Sequence, residues 1–322
     1  MSYVSVIDDS LYLLWQQEVQ IQNFRKHGVL EQLTVVVLYG GEQPSSYAQN
    51  VAKLCRTYFF KNEQSDQHYP ASNKPYGVAR LLEVLPEYAA RGFVLMDSDM
   101  ILTAPLELNR IRQQQGIHFA LSGDPMNLGF VGKNLLELDR ALGVVRVSRE
   151  TLLNYDHIVG AVPLWVQGIS SELAHKIARD AVALHLEFGR QAALGATIEV
   201  WTAEMYAWNW NLYAAESAVY NAPELDSMWA WEPLSSIGDR KIIHAAGVFK
   251  PESGHFCKLL YHDASPLEYR DFDYITRQDC CSWLYYQALL ETQTVHQDKK
   301  IYFERAGGMA DFGSVTKTKK PF

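Results

Sequence analysis

The chain has 322 residues, of which 48% are hydrophobic and 20% charged, and its formal net charge at pH 7 is −8. This composition is typical of a globular protein and argues against disorder as the overall state. An acidic chain lacks the basic face with which nucleic-acid binders displace counterions from phosphate, so we expect no nucleic-acid partner.

The cysteines and the first residues bear on the compartment. The four cysteines have no zinc-ligand spacing, and Cys280 and Cys281 are adjacent, which favours free thiols in a reducing compartment. The first ten residues include Asp8 and Asp9 and contain no long apolar run. The sequence therefore predicts neither a signal peptide nor a membrane span, and we expect a cytoplasmic protein.

The first hundred residues alternate between strand and helix patterns. Apolar, β-branched runs predict strands, and apolar residues at helical spacing predict helices. In chain order the predicted elements are strand 3–7, helix 11–27, strand 33–39, helix 48–55, strand 58–60, helix 74–91 and strand 92–97. Strands separated by helices pair in parallel, so we predict an α/β fold with a Rossmann-like, mostly parallel central sheet flanked by helices.

The second half of the chain is less regular. The predicted elements are a loop and strand within 156–167, helices 170–188, 201–218 and 277–291, and strand 242–243. From Glu304 the composition turns to Gly, Ser, Thr and Lys, which predicts a flexible tail over 304–322. Since no repeat or linker interrupts the rest, we expect a single domain over 1–303.

Two carboxylates, Asp97 and Asp99, stand at the end of the predicted strand 92–97. Ligands of open α/β sheets collect at the carboxyl ends of strands. Side chains two positions apart can face one cation, and Mg²⁺ and Mn²⁺ prefer oxygen ligands. The pattern predicts a metal site; the alternative is a pair of solvated aspartates in a turn.

A second motif follows the predicted strand 242–243, where residues 244–251 read His-Ala-Ala-Gly-Val-Phe-Lys-Pro. The imidazole of His244 can supply a third metal ligand. Gly247 leaves room for backbone N–H groups to approach a phosphate, and Lys250 adds positive charge there. An isolated histidine is more often a core or surface residue, but the spacing to Gly247 and Lys250 favours a ligand.

This motif, with a distant Asp-x-Asp before it, resembles the retaining GT-A glycosyltransferases related to glycogenin. Three stretches, Tyr12 to Gln16, Asn73-Lys74-Pro75 and Trp201 to Tyr206, are similar to the hydroxyproline O-arabinosyltransferases and peptidyl-serine α-galactosyltransferases of plants and algae. Two departures stand out: those relatives carry a membrane anchor, and the arabinosyltransferases have Glu-Pro-Asp in place of Asp97-Ser98-Asp99. The second departure favours the galactosyltransferase side.

The resemblance implies a GT-A fold over 1–303, with a nucleotide-binding half (1–110) and a donor-sugar and acceptor half (111–303). It implies a metal-dependent, retaining transfer of a sugar from a UDP-sugar to a hydroxyl of a peptide, on Ser or hydroxyproline, or of a small acceptor. Mn²⁺ or Mg²⁺ would be the cofactor. Loop 159–163 would shape the donor-sugar pocket, unless it is a plain turn.

Carried over residue by residue, the resemblance implies that Asp97 contacts the ribose or the metal, that Asp99 binds the metal and that His244 completes the metal shell. Lys74 would contact phosphate or base, and either Asp8 or Asp9 would contact the base or ribose; the alternative for Lys74 is a solvated lysine. The candidate residues for binding the nucleotide and its diphosphate are Asp9, Lys74, Asp97, Ser98, Gly247 and Lys250.

Trp201 and Glu204 are the candidate catalytic residues on the acceptor side. They are three residues apart on a predicted helix and so should share one face. An inverting transfer would use Glu204 as the base. In a retaining transfer the departing phosphate takes the acceptor proton, leaving Glu204 to orient the acceptor or stabilise positive charge at the anomeric carbon. The alternative is an ordinary surface acid.

Two other functions stay open from the sequence. In phosphotransferases with an aspartyl nucleophile, Asp-x-Asp lies near the first strand with Thr or Val two residues after the second Asp, whereas here the motif is late and position 101 is Ile. A non-catalytic module that binds sugar nucleotide or peptide is the other possibility. The joint presence of Asp97, Asp99, His244 and Lys250 argues against it.

Overall fold

The computed structural model describes residues 2–64, 69–113, 117–119, 126–155, 160, 162–215, 218–247, 249–269 and 271–305. The strands in these ranges are β1 (Ser2–Asp8), β2 (Leu33–Tyr39), β3 (Arg56–Lys61), β4 (Phe93–Met96), β5 (Met100–Leu102), β6 (Ile117–Phe119), β7 (Leu164–Val166), β8 (Val219–Asn221), β9 (Ser227–Trp229) and β10 (Ile242–His244). The helices are α1 (Leu11–Lys26), α2 (Ser46–Ala52), α3 (Asn73–Val84), α4 (Glu87–Arg91), α5 (Leu108–Gln113), α6 (Leu128–Asn134), α7 (Leu138–Val145), α8 (Arg149–Asn154), α9 (Ser171–Ala193), α10 (Ala203–Ala214) and α11 (Cys281–Arg305).

Seven strands form the central sheet in the order β3-β2-β1-β4-β7-β6-β8. Neighbours pair in parallel except at β7, which runs antiparallel to β4 and β6. The predicted mostly parallel sheet is confirmed. Because β2 and β3 lie on one side of β1 and β4 lies on the other, β1 and β4 flank a switch point, where ligands bind beyond the carboxyl ends of the strands.

Helices cover both faces of this sheet, as its alternating side chains require. Val4 and Val6 of β1 belong to the core formed with α3, α9 and α10. Tyr3 and Ile7, on the opposite face of β1, belong to the core formed with α1 and α2. The sheet is therefore buried on both sides, and its accessible part is the edge where the strands end.

A second sheet of three strands, ordered β5-β10-β9, brings distant parts of the chain together. In its antiparallel pair, His244 of β10 lies opposite Met100 of β5. The Ala245 N–H also donates to the Asp99 carbonyl at 3.0 Å. This ladder places the His244 motif beside the Asp97–Asp99 turn.

Two predicted helices have different bounds in the structure. The predicted helix 74–91 is two helices, α3 and α4, because Pro86 has no N–H for helix hydrogen bonding and disfavours helical geometry at Leu85. The predicted helix 201–218 begins only at Ala203, after a 3₁₀ turn over Val200–Thr202, and ends at Ala214.

The C-terminal helix also differs from the prediction of 277–291. α11 begins at Cys281 and continues through Arg305, so the first two residues of the predicted tail are helical, and 306–322 lie outside the described residues. The helices in the described ranges are all too short or too polar to cross a membrane.

Close packing of α3 on β1 fixes the helix that carries Lys74. A Cβ at Gly77 would lie 2.3 Å from Val6 Cγ1 and 3.3 Å from Val36 Cγ1. Both valines are buried in the sheet, and their branched side chains have little freedom to move. Only glycine allows this approach.

We therefore expect Gly77→Ala to lower the free energy of unfolding by about 1–3 kcal/mol through overpacking, although alanine is the better helix former. The matched control is Gly143→Ala in α7, where an added Cβ would meet nothing within 4 Å. That variant should be more stable than the wild type by about 0.5–1 kcal/mol. Urea denaturation measures both, and equal shifts in the same direction would contradict the packing account.

Candidate active site

The turn between β4 and β5 carries both predicted carboxylates. The Met100 N–H closes the turn onto the Asp97 carbonyl at 3.1 Å. The buried amide of Gln20, on α1, donates to the carbonyls of Asp97 (2.7 Å) and Met100 (2.9 Å). These contacts satisfy backbone groups of the turn and fix the segment that carries the two carboxylates.

The structure brings Asp97, Asp99 and His244 together, as the sequence predicts. His244 Nε2 lies 3.6 Å from Asp97 Oδ2 and 3.4 Å from Asp99 Oδ1. One ligand atom from each of the three residues lies within 4.8 Å of the others. The side chains are largely removed from solvent, so these are not solvated turn aspartates.

A lysine binds the outer oxygen of each carboxylate. Lys74 Nζ lies 2.7 Å from Asp97 Oδ1. Lys258 contacts Asp99 Oδ2. Because the lysines engage the oxygens that face away from His244, each aspartate presents its other oxygen to the imidazole.

The charges of this cluster support one another. Burial alone would raise the pKa of Asp99, but Lys258 and His244 outweigh it and hold that pKa well below its ordinary range. Burial would lower the pKa of Lys74, but Asp97 and Glu204 outweigh it, so the pKa is raised. Asp99 is therefore a carboxylate and Lys74 an ammonium at neutral pH.

The donor set fits a divalent cation. Two carboxylate oxygens and an imidazole nitrogen suit Mn²⁺ and related ions. His244 Nε2 lies 3.6 Å and 3.4 Å from the two inner oxygens, and the three ligand atoms are all within 4.8 Å of one another. These side chains would hold such an ion and leave its other positions to water or a phosphate oxygen.

His244 is oriented by aromatic stacking. Its ring lies on Trp229 with centroids 5.2 Å apart, and Trp231 stacks on Trp229 at 5.1 Å. His244 Nδ1 is buried and makes no hydrogen bond with any described residue, so the indole holds the ring. Gly247 has φ +99°, and a Cβ there would lie 3.1 Å from Trp231, so the motif requires glycine at this position.

Glu204 is a second buried acid next to the cluster and not a surface residue. It is 3% exposed, and its Oε2 lies 3.6 Å from Lys74 Nζ. Its N–H donates to the hydroxyl of Tyr69 at 2.8 Å. Burial raises the pKa of Glu204 and Lys74 opposes the shift, so this carboxyl holds a proton more readily than a solvated one.

Trp201 does not share a face with Glu204, so the prediction that the two residues lie on one helix face is wrong. Trp201 lies in the 3₁₀ turn before α10 and is 62% exposed, whereas Glu204 points inward. The Tyr69 hydroxyl joins the two residues by donating to the Trp201 carbonyl at 2.6 Å. The Trp201 indole donates to Glu199 at 2.8 Å and so stands at the surface beside the site.

Asp8 and Asp9, at the end of β1, have different partners. Asp9 accepts from the Ser45 N–H at 2.6 Å and so ties β1 to the start of α2. Asp8 accepts from Asn73 Nδ2 at 2.6 Å, and burial raises the pKa of Asp8 to about 6. Of the two acids, Asp8 is therefore the one that lies beside α3, at the switch point.

The remaining predicted residues are differently placed. Ser98 is buried between the two aspartates. Lys250 is exposed and forms no ion pair within the described part of the chain, whereas Lys258 is partly buried and forms an ion pair with Asp99. The sequence analysis missed Lys258, Tyr69 and Trp229, which belong to no motif. Of loop 159–163, residues 159 and 161 lie outside the described residues.

The fold, a mostly parallel sheet between helices, is that of GT-A glycosyltransferases. No protein-family model and no curated protein matches it. Among solved structures it is similar to the glycosyltransferase GlyE of Streptococcus pneumoniae TIGR4, with a TM-score of 0.50 and 10% identity over 95% of this chain and 64% of that one.

Two further structures resemble the chain more weakly. They are the bifunctional glycosyltransferase WbbM (TM-score 0.46, 12% identity, 89% of this chain and 51% of that one) and the galactosyltransferase LgtC in complex with donor and acceptor sugar analogs (TM-score 0.47, 12% identity, 92% and 96%). The chain therefore spans about half of WbbM and under two thirds of GlyE. The GlyE likeness supports the fold assignment.

The geometry predicts that Asp99→Ala and His244→Ala each weaken Mn²⁺ binding at least about tenfold, because each removes one of the three side chains that would hold the ion. The matched control is Asp139→Ala, which removes an exposed carboxylate from α7. Calorimetric titration with Mn²⁺ measures the affinity, and thermal unfolding checks that the variants are folded. Wild-type affinity in either variant would show that the ion binds elsewhere.

Proposed function

We propose that the chain is a metal-dependent, retaining glycosyltransferase that moves a sugar from a UDP-sugar to a hydroxyl group. The observation that carries the proposal is the convergence of Asp97, Asp99 and His244 at the switch point of a GT-A fold. Such a site is built for a negatively charged leaving group that is held through a cation.

In this proposal Asp97, Asp99 and His244 hold Mn²⁺ or Mg²⁺, which as a Lewis acid would neutralise charge developing on the departing UDP. The chain adds its own positive groups. Lys74 and Lys258 lie on the outer oxygens of the two carboxylates, within reach of a diphosphate at the same place. The backbone at Gly247 and the exposed Lys250 would contact the diphosphate from the β10 side.

Nucleotide recognition is proposed for the first half, 1–110, and donor-sugar and acceptor contacts for 111–303. The base or ribose would meet the end of β1, with Asp9 or, from its place beside α3, Asp8 as the contacting acid. Ser98 would contribute from the turn between Asp97 and Asp99.

Glu204 is proposed as the catalytic carboxylate of the sugar side. In a retaining transfer the bond from the anomeric carbon to the leaving oxygen breaks, the acceptor oxygen attacks the same face, and the departing phosphate takes the acceptor proton. Glu204, balanced by Lys74 at 3.6 Å, would orient the acceptor and stabilise positive charge at the anomeric carbon.

The proposed acceptor is a peptide hydroxyl, on Ser or hydroxyproline, or a small molecule. Exposed aromatic rings supply large contact areas at little entropic cost, and Trp201 stands beside Glu204 with its ring in solvent. The stretch from Trp201 to Tyr206 resembles the peptide-modifying transferases, which supports this choice. A cytoplasmic location is part of the proposal.

The test is UDP release from a panel of UDP-sugars with Mn²⁺, with and without Ser- and hydroxyproline-containing peptides. We expect Glu204→Gln to bind UDP within about twofold of the wild type but to lose transfer at least about a hundredfold, because a neutral amide cannot stabilise the developing charge. Glu150→Gln, at an exposed site on α8, is the matched control.

The outcomes separate the proposals. Transfer at the wild-type rate by Glu204→Gln would show that the sugar reacts at another part of the protein. Binding of UDP-sugars without UDP release from any donor would instead favour a non-catalytic binding module.

A further inference from the structure

A small cavity lies beside Glu204. Its free volume for water-sized molecules is about 10 Å³, close to what one water requires. The apolar wall consists of Leu95, Val162, Leu164 and Met205, and the polar wall of Glu204, Trp208 and Asn209. The polar residues come from consecutive turns of α10.

Each polar residue of this wall has a buried atom without a hydrogen bond among the described residues: Glu204 Oε1, Trp208 Nε1 and Asn209 Oδ1. All three residues are 3% exposed. The Trp208 indole lies close enough to Glu204 to lower the pKa of the Glu204 carboxyl. Trp208 Nε1 and Glu204 Oε1 nevertheless do not form a hydrogen bond of normal geometry. Buried polar atoms are normally paired, so this cluster indicates a missing partner.

Chemistry restricts that partner. With Glu204 as a carboxylate opposite Lys74, the wall offers one N–H donor, from Trp208, and two oxygen acceptors, from Glu204 and Asn209. Asn209 is held in this orientation because its amide Nδ2 donates to the Gly160 carbonyl at 3.0 Å. A group that fits must accept one hydrogen bond and donate at least one, which a hydroxyl does and a phosphate or carboxylate oxygen does not.

Glu204 borders both the cavity and the proposed site. Glu204 Oε2 lies 3.6 Å from Lys74 Nζ, and Oε1 is the oxygen without a hydrogen bond among the described residues. Leu95, two residues before Asp97 on β4, lies in its wall. A sugar bound beside Glu204 could therefore place one hydroxyl in the cavity.

We propose that the cavity is the subsite for one hydroxyl group of the donor sugar, with Trp208 and Asn209 as specificity-determining residues. An ordered water fills it in the donor-free protein and is displaced when the donor binds. This inference rests on the proposed function, because it names the group that the donor-sugar side recognises.

The test compares wild type and Trp208→Phe in binding UDP, the parent UDP-sugar and a series of UDP-sugars each lacking one hydroxyl. Phenylalanine keeps an aromatic ring but removes the N–H. We expect wild type to bind one deoxy donor about tenfold more weakly than the parent, the effect of one buried hydrogen bond. Trp208→Phe should bind the parent about tenfold more weakly and no longer distinguish it from that deoxy donor.

The matched control is Trp210→Phe, which removes the indole that packs against Phe188 and Tyr206 on another face of α10. It should keep the discrimination of the wild type. UDP should bind all three proteins equally, because it lacks the donor sugar whose hydroxyl would enter the cavity. Thermal unfolding checks folding, and crystal structures of the wild type with and without donor give a readout that needs no variant.

Two results would overturn this inference and leave the proposed function standing. One is an equal loss of affinity for every deoxy donor in both the wild type and Trp208→Phe. The other is a water that stays in the cavity of the donor complex. If the wild type binds UDP-sugars no better than other nucleotides, both the inference and the proposed function fail.

Discussion

The site depends on two carboxylates that each have two partners. Asp97 and Asp99 each give one oxygen to a lysine and turn the other toward His244. Lys258 helps to hold the pKa of the buried Asp99 well below its ordinary range, and both lysines fix the direction of the free oxygens. Without Lys74 and Lys258, two carboxylates so near each other would repel.

The fold was predictable where the sequence pattern is long. β1, β2 and β4 are apolar runs between helices, and their alternation with α1 and α3 requires parallel pairing. The small sheet was largely not predictable, because strands of three residues are too short to show a period. Yet that sheet sets the site, since it lays β10 against β5 and brings His244 to Asp99.

The convergence of Asp97, Asp99 and His244 could be predicted from motif spacing and strand position, while the partners of these side chains could not. Lys258 stands in no motif, and only its ion pair with Asp99 distinguishes it from the exposed Lys250. Trp201 and Glu204 were expected on one face because a continuous helix was assumed. The 3₁₀ turn over Val200–Thr202 changes the angular spacing of the residues, so the Trp201 ring is in solvent and Glu204 is buried.

The most direct test is a crystal structure of the protein with Mn²⁺ and UDP, using the anomalous signal of manganese to locate the ion. We predict one ion within about 2.0–2.4 Å of Asp97, Asp99 and His244, with the diphosphate of UDP on its open side and Lys258 close to phosphate. An ion bound away from these side chains, or UDP bound at another edge of the sheet, would contradict the account.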